Sequence, residues 1–343
     1  MTRGDDAGPG IRKTAAVTVA TEVSWQHDGI ETFGTLLVPE GAAPFPAVVL
    51  VAGSGPTDRD WNSPMLPGSN GSGRLLAEAL ADAGFASLRY DKSASGPHVA
   101  ENLPQLIGRL SMAWHLEELA GAVGVLAAQA SVDPARIVGL GNSEGCLHLL
   151  HYATSEQGVP LAGLVLAAPP GRAVGEVLRS QLDAQLGSAP GGAQLLPLVH
   201  EALARYAAGQ AMDAAPELPE QLRLVLSSFE VPANLPFARE LFSLDAADLL
   251  PRDELPTLVL IGAKDLQVDV ALDGEPLRAA AAAAGRSNVV FAFPPHANHV
   301  LKEELREKAE LAAAPGTGYN EDGTRLDPEA VGLVVDWLRA TIG

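Results

Sequence analysis

Cysteine is nearly absent: Cys146 is the only one in 343 residues. A single thiol forms no intramolecular disulfide, so the fold must be held by burial and hydrogen bonding, and nothing in it requires an oxidising compartment. Positive charge is scarce as well. Lys and Arg number 23 against 42 Asp and Glu, a net charge of −19. That balance leaves no cationic footprint for a nucleic-acid backbone or an anionic membrane surface. No run approaches the ~18 consecutive apolar residues of a membrane span, and the opening MTRGDDAGPG lacks the apolar segment of a secretion signal. The expected location is cytoplasmic, with neither nucleic acid nor membrane as a partner.

What is present is ample core material. Hydrophobic residues make up 47% and charged residues 19%, the profile of a folded globular chain and not of a disordered one. The length admits one large domain or a core carrying a smaller one. Residues 1–12, rich in Gly, Asp and Pro, are expected to fray. Two β-branched segments, Thr14 to Trp25 and Ile30 to Val38, flank the turn-like His27-Asp28-Gly29 and predict a hairpin.

From residue 45 the pattern changes. Continuous apolar runs predict buried strands at 45–52 (FPAVVLVA), 86–90 (ASLRY), 136–140 (RIVGL), 162–168 (AGLVLAA), 257–261 (TLVLI) and 288–293 (NVVFAF). Helical patterns lie between them at 73–83, 112–130 and 145–155, then around 275–284 and at 328–340. Such alternation implies a mostly parallel sheet covered on both faces. Residues 171–250 interrupt it with amphipathic helical patterns only, which reads as a helical cap or lid inserted into a core made of 1–170 and 251–343.

The strongest local motif is Gly141-Asn142-Ser143-Glu144-Gly145, set between a buried strand and a helix. It matches G-x-S-x-G, in which a sharp strand-to-helix turn projects a serine and side chains two residues away on either side would collide. A competing dinucleotide loop, Gly139-Leu140-Gly141 with Gly145, wants a carboxylate at the end of the next strand, where Ala167-Ala168-Pro169-Pro170 stands instead. A nucleophilic Ser143 needs an acid and then a base downstream, in that order. Asp265 follows the strand 257–261, with Asp269 as the second candidate. His299 follows the strand 288–293 and is expected to open a helical stretch, Val300-Leu301-Lys302; His296 is the alternative base. Parallel strands present all these loops at one sheet edge. Oxyanion donors are expected from the backbone N–H of Glu144 and from Ser54, with Gly53 beside it. The Glu144 carboxylate would oppose a developing oxyanion unless it turned away to a cation, for which Arg59 is the candidate. Cys146, His148 and His151 share a helix, but no further ligand has suitable spacing, so no metal is expected and Cys146 reads as packing.

These residues, Gly53-Ser54-Gly55-Pro56 with Asp58-Arg59-Asp60, Leu88 to Lys92, Gly141 to Gly145, Gly262 to Val268 and Asn298 to Leu301, together resemble the α/β-hydrolase superfamily. More narrowly they are similar to bacterial serine esterases of the dienelactone-hydrolase and acyl-peptidase-like kind. The resemblance covers about residue 30 to 343. It implies an eight-stranded α/β-hydrolase fold, a Ser143-His299-Asp265 triad, no cofactor, and hydrolysis of a carboxylic ester or lactone. Departures lie at Asn142, where the family usually carries His, at Ser93-Ala94-Ser95-Gly96, and at Trp61. Trp61 and Asn142 are therefore expected to shape the pocket. The cap's apolar faces suggest a medium-sized apolar substrate. A peptidase or acyltransferase with the same triad, or a non-hydrolytic ligand-binding, cyclase or lyase member of the fold, are the alternatives.

Overall fold

A computed structural model describes residues 18–66, 68–156, 158–312, 320 and 323–343. The expected fraying of residues 1–12 and the first residues of the predicted hairpin lie outside the described residues. Within them, β1 (Val19–His27) and β2 (Ile30–Val38) pair antiparallel around Asp28 and Gly29, both at positive φ (43° and 85°). A two-residue loop with both residues left-handed matches the twist of the strands it joins.

The alternation follows as β3 (Phe45–Val51), α1 (Ser72–Asp82), β4 (Ala86–Tyr90), α2 (Val99–Leu106), α3 (Met112–Ala127), β5 (Val132–Asn142), α4 (Glu144–Ala153) and β6 (Gly163–Ala167). Helices α5 (Val174–Ser188), α6 (Leu196–Ala207), α7 (Glu220–Ser228), α8 (Phe237–Phe242) and α9 (Ala246–Leu249) then intervene before β7 (Thr257–Leu260). The chain closes with α10 (Glu275–Ala283), β8 (Val289–Ala292), α11 (Lys308–Ala312) and α12 (Pro328–Ile342).

The eight strands form one sheet in the order β1-β2-β4-β3-β5-β6-β7-β8, parallel from β4 through β8. Every residue of β4, β6 and β7 is buried, because helices cover both faces. Leu119, Val123 and Leu126 of α3 and Leu147 and Leu150 of α4 pack one face, and Leu76 and Leu80 of α1 with Val334 and Leu338 of α12 pack the other. The edge strand β8 departs from that expectation, with Val290 about half exposed. Helices α5 to α8 share a separate buried cluster that includes Leu182, Val199, Leu203, Tyr206, Leu226 and Phe242.

Two local differences have plain causes. Strand β5 begins before Pro134, although proline cannot donate to a ladder. A register shift absorbs it: Phe45 pairs with Val132 and Ala47 with Ile137, so Asp133, Pro134 and Ala135 bulge out of the pairing. Helix α2 carries Pro104, which obscures its periodicity in the sequence. Among the described residues, no helix is long and apolar enough to cross a membrane.

Strand β3 lies between β4 and β5, so the chain leaves it first in one direction through α1 and later crosses to its other side through α3. The carboxyl ends of β3 and β5 therefore meet at the point where the winding reverses, the crevice at which open parallel sheets bind ligands. Those ends carry Gly53 and Ser143.

Candidate active site

Ser143 stands between β5 and α4 with φ 55° and ψ −121°, a strained geometry for a residue with a side chain. Its N–H donates to the Ala167 carbonyl at 2.8 Å, which ties the turn to β6. The flanking glycines are steric requirements. A Cβ on Gly141 would lie 2.6 Å from the Gly145 carbonyl carbon, and one on Gly145 would lie 2.5 Å from the Val51 carbonyl oxygen. Gly53 approaches from β3 so closely that its Cβ would meet Ser143 Cβ and the Asn142 carbonyl oxygen at 3.3 Å.

Asp265 and His299 are brought together. His299 Nδ1 donates to Asp265 Oδ2 at 2.8 Å, and the fully buried Asp265 accepts two more bonds at Oδ1, from the Gln267 and Val268 N–H groups (2.7 and 3.0 Å). With Nδ1 engaged, the Nε2 side of the imidazole is left for chemistry. Gly262 makes the meeting possible: a Cβ there would sit 2.1 Å from the Ala297 carbonyl oxygen, so only glycine lets the acid loop pass the histidine loop. The segment after His299 is not helical as expected. Asn298 Oδ1 accepts from the N–H of Val300 and of Lys302 (3.1 and 3.0 Å), and Leu301 adopts φ 61°, which closes a tight turn instead.

The alternatives are placed elsewhere. His296 is exposed. Asp269 accepts from the Ala271 and Leu272 N–H groups and pairs with Lys308 at 2.8 Å. Asn142, expected to shape the pocket, lines it and also holds the histidine loop, donating from Nδ2 to the His299 carbonyl at 2.9 Å. Trp61 lines the same cavity from a backbone at φ 68° and is almost wholly buried.

The partner expected for Glu144 was wrong. Arg59 donates instead to Asp91, from its backbone N–H and from Nε (2.8 Å each), and reaches Glu22 and Thr35. The cation at Glu144 is Lys92, whose Nζ donates to Glu144 Oε1 at 2.9 Å and to the Gly53 carbonyl at 2.7 Å. Both side chains are about 95% buried. One ammonium thus ties the carboxylate behind the turn to the loop after β3. Sequence reasoning missed it because the two residues stand 52 positions apart on different strand ends; the signal available was a lysine directly after Asp91 at the end of a buried strand.

His148, one turn along α4, lies 3.1 Å from Glu144 Oε1 through Nε2. Burial would raise the Glu144 pKa, but the charge of Lys92 and the bond from His148 outweigh it and hold the carboxyl well below the usual carboxylate range. Burial pushes His148 down to about 4, and the nearby His115 adds to the effect. His115 packs against His148 with ring centroids 4.7 Å apart and bonds Glu118 at 2.8 Å, which in turn accepts from Ser93. Cys146 is buried, its thiol donating to the Gly141 and Ala167 carbonyls (3.2 and 3.3 Å).

No known protein-family profile matches the chain. A curated relative, esterase EstD of Thermotoga maritima, is 29% identical over 237 residues, covering 68% of this chain and 50% of its own length. The chain thus spans about half the length of that relative. Among solved structures, proline iminopeptidase of Mycobacterium smegmatis superposes with a TM-score of 0.55 at 15% identity, covering 94% of this chain and 98% of that one. Esterase PF2001 of Pyrococcus furiosus gives 0.52 at 16% identity, covering 95% and 92%. With the sheet order and crossovers above, these superpositions establish the α/β-hydrolase fold.

Proposed function

We propose that this chain is a serine hydrolase of carboxylic esters. Ser143 Oγ attacks the ester carbonyl, His299 takes its proton and later delivers it to the leaving alcohol, and Asp265 holds the imidazole tautomer and stabilises its cation. The backbone N–H of Glu144, with Ser54 and Gly53 across the crevice, receives the oxyanion. Water then releases the acid from the acyl-enzyme. The observation that carries the reading is the 2.8 Å bond from His299 to a buried Asp265, on loops at the same sheet edge as a serine held at φ 55°. The relationship to an esterase over two thirds of the chain supports the reaction class.

The cation at Glu144 answers the objection that a carboxylate beside the nucleophile would oppose an oxyanion: its charge is matched by the buried ammonium of Lys92 at 2.9 Å. Residues 171–250 are read as a helical cap on a core of 1–170 and 251–343. The separate buried cluster formed by residues 182–229 with Phe242 supports this for most of the segment, whereas Phe237, Leu241, Ala246 and Leu250 pack into the main core; Val177 lines a cavity that reaches Ser143. Hydrolysis of p-nitrophenyl butyrate tests the function. The wild type should release nitrophenol with a burst of about one equivalent when deacylation is slower than acylation, and Ser143→Ala should show neither burst nor turnover. Full activity in Ser143→Ala would overturn the assignment.

A further inference from the structure

Resting on the serine-hydrolase reading, we infer that Asn142 is a positioning residue whose amide fixes the distance between the nucleophile Ser143 and the base His299. The difficulty it meets is one of reach. Ser143 follows β5, whereas His299 lies on the loop after β8, with β6 and β7 in between. Three strand spacings of about 4.8 Å put those strand ends roughly 14 Å apart. The histidine loop must therefore cross two strands, and it needs anchors where it arrives.

The acid loop after β7 supplies the first anchors. Asp265 holds the imidazole through Nδ1 at 2.8 Å, and the Lys264 N–H donates to the Ala297 carbonyl at 3.0 Å. Both ties run to β7, and neither reaches the strand that carries Ser143.

Asn142 supplies the tie to that strand. It is the last residue of β5, immediately before Ser143, and is almost wholly buried. Its Nδ2 donates to the His299 carbonyl at 2.9 Å and lies 3.4 Å from the Ala167 carbonyl, which also accepts the Ser143 N–H at 2.8 Å. Both partners are carbonyl oxygens, which only accept, so the NH2 end of the amide must face them. Its Oδ1 lies toward Gly53, where a Cβ would stand 3.4 Å away. One side chain thus sits between the end of β6, the histidine loop and the loop after β3.

The length of this bridge bears on both halves of the reaction. His299 must lie within hydrogen-bond reach of Ser143 Oγ to take its proton, and must stay in place to protonate the leaving alcohol. A misplacement of about 1 Å in such a contact costs on the order of 100-fold in rate. The amide NH2 is directed at backbone carbonyls, so Asn142 acts through His299 and not on the substrate. Its loss should therefore slow the chemical step, leave binding alone, and cost nothing once His299 itself is gone.

The test is a double-mutant cycle on the full chain: wild type, Asn142→Ala, His299→Ala and the double variant, followed by p-nitrophenyl butyrate kinetics and by the rate of fluorophosphonate labelling. With His299 present, Asn142→Ala should lower kcat by about 10- to 100-fold at unchanged KM and slow labelling by the same factor. In the His299→Ala background the same change should alter labelling by about twofold at most, because a residue that acts through the imidazole has nothing left to position. Asn142→Ser keeps a polar group too short to reach the His299 carbonyl and should repeat the loss, which covers the case of an Asn142→Ala protein that melts early. Wild-type kcat in either folded variant, a loss confined to KM, or an equal loss with and without His299 would overturn the inference. If Ser143→Ala is inactive in that case, only the role of Asn142 fails; if Ser143→Ala retains activity, the hydrolase reading fails with it.

Discussion

Lys92→Met removes an ammonium that two groups depend on. In the wild type its Nζ lies 2.9 Å from Glu144 Oε1 and 2.7 Å from the Gly53 carbonyl, with both charged side chains buried. Without it, the Glu144 carboxylate is left in the interior with only the neutral His148 as partner. Breaking a buried pair from one side typically costs about 3–5 kcal/mol, because the remaining charge is uncompensated. A melting temperature lower by about 4–7 °C is the expected reading for a chain of 343 residues. Turnover should fall further than stability explains, since Gly53 and Glu144 carry the proposed oxyanion donors. Displacing one such donor is worth about 100- to 1,000-fold in kcat. The double variant Lys92→Met/Glu144→Leu separates the two effects. Replacing both charges with apolar groups of similar volume should recover most of the stability, while the Gly53 carbonyl stays without its donor and turnover stays low. Thermal melts and p-nitrophenyl butyrate kinetics on the three proteins provide the data. A single variant within 1 kcal/mol of wild type, or a double variant no more stable than the single, would refute the reasoning.

Other expectations follow from the same geometry. His148 is held near 4 in the fold against 6.5 for a free imidazole, so the unfolded chain binds the extra proton as pH falls from 6.5 towards 4 and stability is lost across that window. Urea midpoints should fall by an amount equivalent to about 2 kcal/mol between pH 7 and pH 5, and His148→Gln should flatten that slope; an unchanged slope contradicts the assignment. Asp265→Asn keeps the shape but offers His299 Nδ1 the wrong partner, and kcat should fall by about 10,000-fold with little change in melting temperature. Gly262→Ala would force a Cβ to 2.1 Å from the Ala297 carbonyl oxygen, so the acid and histidine loops must separate; activity should be lost even where circular dichroism shows an intact fold.

The sequence made legible whatever short-range sterics and burial dictate. Apolar runs such as 45–52 and 162–168 appear as β3 and β6 because strands buried on both faces tolerate little else. Gly141 and Gly145 mark the turn at Ser143 because a Cβ at either collides with backbone. The rest depended on distance. That Lys92, and not Arg59, serves Glu144 is decided by which strand ends meet at the reversal of winding, and Arg59 is drawn off by Asp91 and Glu22. The turn after His299 was hidden because Leu301 takes a left-handed backbone that its side chain does not advertise. Asn142 differs from the histidine usual in the resembled family, and its bond to the His299 carbonyl becomes visible only once the two loops are adjacent.

The central claim is that Ser143 is a nucleophile activated by His299, and covalent labelling by a fluorophosphonate followed by intact-mass and peptide mass spectrometry tests it most directly. The account predicts a single adduct on the peptide containing Ser143, strongly slowed in His299→Ala and absent in Ser143→Ala. An unlabelled wild type, or labelling of Ser143→Ala to the same extent, would contradict it.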